Sequence, residues 1–210
     1  MPSKRELSEI VEVVLNWLNM NDTLVNRIPG EYEKIKEATI ELKFNMASDL
    51  YTGSLLKTLA ASKPAGRFLE LGTGTGLATA WILSGLDAKS SLITIENNAL
   101  LIDVANKYIN DSRVRFILAD AYEWLKNYNE EKFDFIFADA MPGKYDLFDE
   151  TIGMLKSGGL YIIDDMLPQP NWPSGHDKKA DDFVNMLEKR TDLLLTKLNW
   201  STGIIIVSKK

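Results

Sequence analysis

Acidic side chains recur at one phase of this sequence. Glu70, Glu96, Asp120, Asp139 and the pair Asp164-Asp165 each follow a short apolar or β-branched run. Carboxylates bind cations, accept hydrogen bonds from diols and amino groups, and exchange protons. The other chemical feature is the turn Gly72-Thr73-Gly74-Thr75-Gly76, with three glycines in five residues. Such a turn has no side chains on its inner face, so a ligand can lie against bare backbone. A helix opening near Leu77 would aim unpaired N–H groups and a positive dipole end at the same place. Strand, glycine turn and helix together read as a nucleotide-type cofactor site at the carboxyl edge of a parallel sheet.

Spacing narrows the ligand. A dinucleotide fingerprint needs a small residue three positions after its second glycine, and that position is Leu77. The pattern is instead E-x-G-x-G-x-G from Glu70 to Gly76, whose acid suits a cationic or zwitterionic ligand better than a pyrophosphate. Glu96 lies twenty residues beyond Gly76, where an acid can accept from a ribose diol. Asn97 is placed to touch the same nucleoside. Asp120 is in reach of an adenine amino group or caps the helix starting at Ala121, and both roles can hold at once. Asp139, Asp164 and Asp165 would repel one another unless protonated or neutralised by a cation. Three oxygen ligands without His or Cys suit a hard ion such as Mg²⁺ or Ca²⁺. The plainer alternative is that Asp164 caps the sheet edge while Asp165 faces solvent.

These residues need elements to hold them. Apolar residues at helical spacing predict helices over 4–20, with Ser3 as N-cap, and over Tyr32–Phe44. The two helices cover a domain face, roof a cleft or form a dimer seam. A polar linker from Asn45 leads to a helix ending near Ser62. Strands are then expected at Phe68–Leu71, Ser91–Ile95, Val114–Ala119, Phe133–Ala138 and Leu160–Ile163. The helices between them are Leu77–Leu86, Ala99–Asn110, Ala121 to about Tyr128, and Tyr145–Leu155. Ser157-Gly158-Gly159 is read as a turn, 177–190 as a helix, and Leu193–Trp200 with Ile204–Ser208 as a hairpin. Strand–helix alternation requires a mainly parallel sheet with helices on both faces. The expected fold is therefore α/β: a Rossmann-like doubly wound, seven-stranded sheet with a C-terminal antiparallel hairpin and N-terminal helices, in a single domain over 1–210.

The whole chain sets outer limits. Its 210 residues suffice for one large domain with a full core. Net charge −6 argues against a nucleic-acid partner. No apolar run approaches the length of a membrane span, and the N-terminus leads into an acidic amphipathic stretch rather than an apolar signal core. Absence of cysteine excludes disulfides and thiolate chemistry and fits a cytoplasmic protein. One histidine, His176, makes a zinc site a poor fit.

The stretch Phe68–Gly76 resembles motif I of the class I S-adenosylmethionine (SAM)-dependent methyltransferases. With Glu96, Asp120-Ala121, the Asp139 loop, and Gly158-Gly159 followed by Asp164-Asp165, the chain from about Met46 onward resembles the cation-dependent O-methyltransferases, which include the catechol and caffeoyl-CoA enzymes. That resemblance implies methyl transfer from SAM to a hydroxyl of a small, aromatic diol-type acceptor, and leans toward a homodimer. It implies a divalent cation such as Mg²⁺ on Asp139, Asp164 and Asp165. It also implies a cofactor site drawing on Met46, Thr52, Gly53, Glu70, Gly72, Thr73, Gly74, Gly76, Glu96, Asn97, Asp120, Ala121 and Asp139.

Two positions depart from the family pattern. Asp165 stands where Asn is usual, and Pro142 stands where a lysine base is usual. Lys144, two residues further on, either takes over as base or is a surface lysine. His176 is a near-neutral titrating group over the cleft or a solvated loop residue, and Trp172 is a stacking surface or a loop anchor. Two other functions stay open: an aminopropyl transferase, and a SAM-binding protein without catalysis.

Overall fold

The computed structural model of the protein describes residue 25 and residues 27–210. The helix expected over 4–20 lies outside the described residues. Seven helices are described: α1 (Tyr32–Glu41), α2 (Leu50–Ala61), α3 (Leu77–Gly85), α4 (Ala99–Tyr108), α5 (Ala121–Asn127), α6 (Phe148–Gly153) and α7 (His176–Glu188). The strands are β1 (Arg67–Leu71), β2 (Ser91–Glu96), β3 (Val114–Leu118), β4 (Phe133–Ala138), β5 (Leu155–Ile163), β6 (Leu193–Leu198) and β7 (Ile204–Lys209). They form one sheet in the order β3-β2-β1-β4-β5-β7-β6. Pairing is parallel from β3 across to β5, and β7 runs antiparallel to both β5 and β6.

Alternation along the strands builds two cores. Phe68, Leu92, Phe135, Phe137 and Ile162 face α1 to α4, with Trp81 at the centre. Leu69, Leu71, Ile136, Tyr161, Ile163 and Val207 face the other way, against Phe148 of α6 and Phe183 of α7. Two apolar faces identify β1, β4 and β5 as interior strands, because only strands covered on both sides can be apolar on both. The order reverses beside β1, where chain leaves toward β2 on one flank and β4 lies on the other. Open α/β sheets bind ligands outside such a point.

One expected element is different. The stretch expected as a helix over Tyr145–Leu155 is a tight turn followed by the six-residue α6. Backbone N–H groups of Lys144, Tyr145 and Asp146 all donate to the Met141 carbonyl, and Gly143 donates to Asp146 O at 2.7 Å. Gly143 (φ 84°) and Leu147 (φ 57°) are both left-handed, which a continuous helix forbids. β5 correspondingly starts at Leu155 and absorbs Ser157-Gly158-Gly159 as a register shift opposite β4. That irregularity admits Gly158 at φ 74°.

Candidate active site

The glycine turn is built by alternation. Thr73 and Thr75 point inward and pin it: Thr73 Oγ1 lies 2.6 Å from Thr94 Oγ1, and Thr75 Oγ1 lies 2.6 Å from Thr39 Oγ1. Gly72 and Gly74 meanwhile leave bare backbone along a cleft of about 750 Å³ at the carboxyl ends of the strands. Gly72 sits at φ 95°, and a Cβ there would stand 2.5 Å from the Asp139 carbonyl oxygen. Only glycine lets the β1 and β4 loops approach this closely. Gly76, expected among the cofactor contacts, has another role. It caps α3, and its missing side chain admits Ala105 of α4.

Glu96 and Asp120 reach the cleft from β2 and β3. Glu96 Oε2 accepts from Gly74 N at 2.8 Å, and Oε1 accepts from the backbone N–H groups of Asn97 and Asn98 at 3.0 Å each. The acid thus fixes the turn while facing the cleft. Asp120 caps α5 by accepting from Tyr122 N and Glu123 N, both on Oδ1. Asn97, Ala121 and Met46 line the same cleft.

Asp139 enters from the end of β4, half-buried, with Ser48 Oγ donating to its Oδ2 at 3.2 Å. Burial pushes its carboxyl well above the usual carboxylate range, and the nearby charges of Asp164 and Asp165 push it further. Lys144 is only 5% exposed and lines the cleft, so it is no surface lysine. Burial lowers its pKa, and Asp139, Asp165 and Asp164 oppose that shift. Tyr145, Asn171, Trp172, Pro173 and His176 also line the cleft. The Tyr145 hydroxyl is buried without a hydrogen-bond partner among the described residues.

Several expected site residues are not brought to the cleft. Glu70 is wholly buried beneath the turn, where its Oε2 accepts from Thr79 Oγ1 at 2.5 Å and Thr94 Oγ1 at 2.6 Å. It sits on the Phe68 face of β1, so strand alternation turns it toward α3. Thr52 donates to Ser201 Oγ at 3.1 Å, and Gly53 accommodates the Trp81 ring; both are buried packing positions. Asp164 is 2% exposed, and its Oδ1 accepts from Thr202 Oγ1 at 2.6 Å and Asp165 N at 2.8 Å. Conversely, Phe44, Asn98 and Tyr122 line the cleft without having been expected there.

The expected cation site is tested by the same geometry. Among the described residues, no three His, Asp or Glu side chains converge closely enough to hold a metal ion. Asp165 lines the cleft at φ 55°, a conformation that favours the family's usual Asn, while Asp164 is turned to Thr202. The acids are near enough to repel yet do not form the three-oxygen cage that their order along the chain suggests.

Among the described residues, no helix is long and apolar enough to cross a membrane. Comparison with known proteins agrees with the architecture. An O-methyltransferase from Bacillus cereus, solved with S-adenosylhomocysteine (SAH), superposes with a TM-score of 0.78 at 20% identity, over 90% of this chain and 94% of that one. A Staphylococcus aureus structure named provisionally as a caffeoyl-CoA O-methyltransferase gives a TM-score of 0.71 at 26% identity, over 85% of this chain and 92% of the other. A Mycobacterium ulcerans protein named provisionally as an O-methyltransferase is 32% identical over 117 residues, 53% of this chain and 52% of its own length. The chain spans about half the length of the curated relatives it matches. The O-methyltransferase family profile matches residues 29–201. With its sheet order and its glycine turn at the β1–β4 switch point, the chain has the Rossmann-like class I methyltransferase fold and belongs to the O-methyltransferase family.

Proposed function

We propose that this protein transfers the methyl group of SAM to a hydroxyl of a small aromatic acceptor. One observation carries the reading. Bare backbone at Gly72–Gly74, the acids Glu96 and Asp120, and Asp139 all line a single cleft together with Trp172, His176 and Tyr145. Nucleoside-recognising groups and aromatic rings thus share one cleft. Glu96 suits the ribose diol. Asp120 keeps Oδ2 for an adenine amino group, since its capping bonds use Oδ1. Asp139 suits the cationic methionine end.

In the reaction the acceptor oxygen forms a bond to the methyl carbon as the sulfur–methyl bond breaks. The electron pair stays on sulfur, giving SAH, and the hydroxyl proton must leave the acceptor. Positioning the oxygen in line and stabilising its developing charge are the protein's main tasks. The repulsion among Asp139, Asp164 and Asp165 supports a positive charge at this point. The acid-lined cleft permits an aminopropyl transferase, and the rings of Tyr145, Trp172 and His176 favour a phenol instead. A SAM-binding protein without catalysis would need a cleft lacking a base, and Lys144 and His176 both line it.

The test is calorimetric SAM binding together with transfer of labelled methyl to a panel of phenols and catechols. Wild type should do both. Glu96→Ala should weaken SAM binding about ten- to a hundredfold, the cost of losing hydrogen bonds to a charged acceptor. Binding without turnover on any member of the panel would contradict methyl transfer.

A further inference from the structure

The geometry points to Lys144 and His176 as the working pair of the acceptor site: the Lys144 ammonium holds the acceptor oxygen where the family would place a divalent ion, and the His176 imidazole takes the hydroxyl proton. This rests on the methyl-transfer reading and assigns that reaction to the chain's own side chains.

Lys144 is placed by its turn. Gly143 at φ 84° and the bridge between Pro142 and Asp146 fold the backbone back, and the Tyr161 hydroxyl donates to the Gly143 carbonyl from the core. The side chain is buried against the Tyr145 ring, with Nζ 5.1 Å from the ring centre. Among the described residues Nζ makes no ion pair within 4.0 Å. A buried ammonium keeps its charge only with compensation, and here Asp139, Asp165 and Asp164 oppose the downward shift that burial imposes without any of them pairing with it. Its direct partner is therefore left to a ligand. An oxygen acquiring negative charge in the cleft is the complementary group.

His176 is placed by a ladder of rings. Tyr161 packs on Phe148 at 5.6 Å, Phe148 on Phe183 at 5.3 Å, Phe183 on Tyr145 at 5.5 Å, and Tyr145 edge-on to His176 at 5.1 Å. Trp172 closes the ladder at 4.5 Å from His176. The ladder runs from the sheet core to the cleft wall and holds the imidazole from two sides. His176 also opens α7, whose positive dipole end disfavours a second positive charge there.

The charges facing the ring come from three elements. Lys144 lies on the β4–α6 turn, Asp165 at the end of β5, and Asp177 and Lys179 on α7. Burial and then the two lysines hold the imidazole below its usual value, against the pull of Asp165 and Asp177. Tyr145 stays a neutral phenol, pushed up to about 12 by burial. The neutral ring is thus a ready proton acceptor in the cleft that Lys144 also lines.

The balance closes without another reactant. The acceptor O–H proton passes to an imidazole nitrogen, and the oxygen bonds to the methyl carbon. The sulfur keeps the electron pair of the broken bond, and the imidazolium returns its proton to water as product leaves. Lys144 changes neither charge nor bonding throughout.

Turnover of the phenol and catechol panel, measured in excess EDTA and in millimolar Mg²⁺, is the test. The wild-type rate should differ less than about twofold between the two conditions. Lys144→Met and His176→Gln should each lower kcat by about a hundredfold or more with SAM affinity unchanged. Lys144→Arg, which keeps the charge, should recover much of that loss. The wild-type kcat should rise with pH through an acid limb below about 6.5, the ordinary histidine value, and His176→Gln should lack that limb. Turnover that requires Mg²⁺, or an unaltered pH profile in His176→Gln, overturns the pair while leaving methyl transfer standing.

Should no panel member turn over, methyl transfer to phenols fails, and a second measurement still decides the pair. His176 is the chain's one histidine, so its ring resonances are unambiguous. A ring pKa below about 6.5, unmoved by millimolar Mg²⁺, supports the pair. Mg²⁺ binding that shifts those resonances overturns it.

Discussion

Gly72→Ala should abolish tight SAM binding and destabilise the fold together. The new Cβ would stand 2.5 Å from the Asp139 carbonyl oxygen, a backbone atom that cannot rotate away, at φ 95°. Left-handed backbone alone costs an L-residue roughly 1–2 kcal/mol, and forcing the β1 and β4 loops apart adds to it. The expected total is about 2–4 kcal/mol, or a Tm lowered by roughly 5–15 °C for a chain of this size. SAM affinity should fall by more than about tenfold, because the separated loops carry Asp139 away from the turn. Gly158→Ala is the control. It imposes similar strain at φ 74° but meets nothing within 4 Å, and it lies in β5 away from the cleft. It should lower Tm modestly and leave SAM binding intact. Equal effects of the two substitutions on SAM affinity would refute the close-approach role of Gly72.

Glu70→Gln should be stabilising, and increasingly so as pH rises. Burial lifts the Glu70 carboxyl to about 7 in the folded chain, against hydrogen bonds from Thr79 and Thr94 that lower it. Its Oε1 finds no hydrogen-bond partner among the described residues. A carboxyl raised on folding stays protonated in the folded chain while its unfolded counterpart ionises. Its relative contribution is intact below the unfolded value of about 4.5 and is lost as pH climbs to about 7. Over that window the wild type should lose roughly 3 kcal/mol that Glu70→Gln retains. Denaturant unfolding at pH 5 and pH 8 measures the difference directly. Indistinguishable pH dependence in the two chains would mean that Glu70 ionises in the folded protein and is compensated by a group other than the two threonines.

Both predictions depend on where strand and turn geometry send particular side chains, and that marks the limit of what the sequence makes legible. The parallel part of the sheet was readable because each of its five strands is a short apolar run with a glycine turn or an acid at its carboxyl end, and parallel order follows from the intervening helices. The glycine cradle, Glu96, Asp120 and Asp139 were readable because their positions at strand ends place them at one edge of the sheet. Phase alone could not tell an acid at a strand's last residues from one beyond it. Glu70 is inside β1 and alternates toward α3, whereas Asp139 follows β4 and is released into the cleft.

The acceptor wall was harder to read. The stretch Tyr145–Leu155 carries helix-compatible sequence, but the left-handed Gly143 and Leu147 make its start part of a turn that brings Lys144 to the cleft. Sequence left Asp164 open between a cation ligand and a cap of the sheet edge, because its commitment to Thr202 depends on the β6–β7 turn arriving from 38 residues away. His176 was visible as the one histidine of the chain. Its placement came only with the ring ladder, which joins α6, α7 and β5.

The most direct test of SAM binding in this cleft is a crystal structure of the chain grown with SAH. The expected density is adenosine with its ribose diol on Glu96 and its amino group at Asp120, the methionine chain over Gly72–Gly74, and sulfur facing the space between Asp139 and Lys144. An empty cleft at saturating SAH, or SAH bound on another face of the sheet, would contradict it.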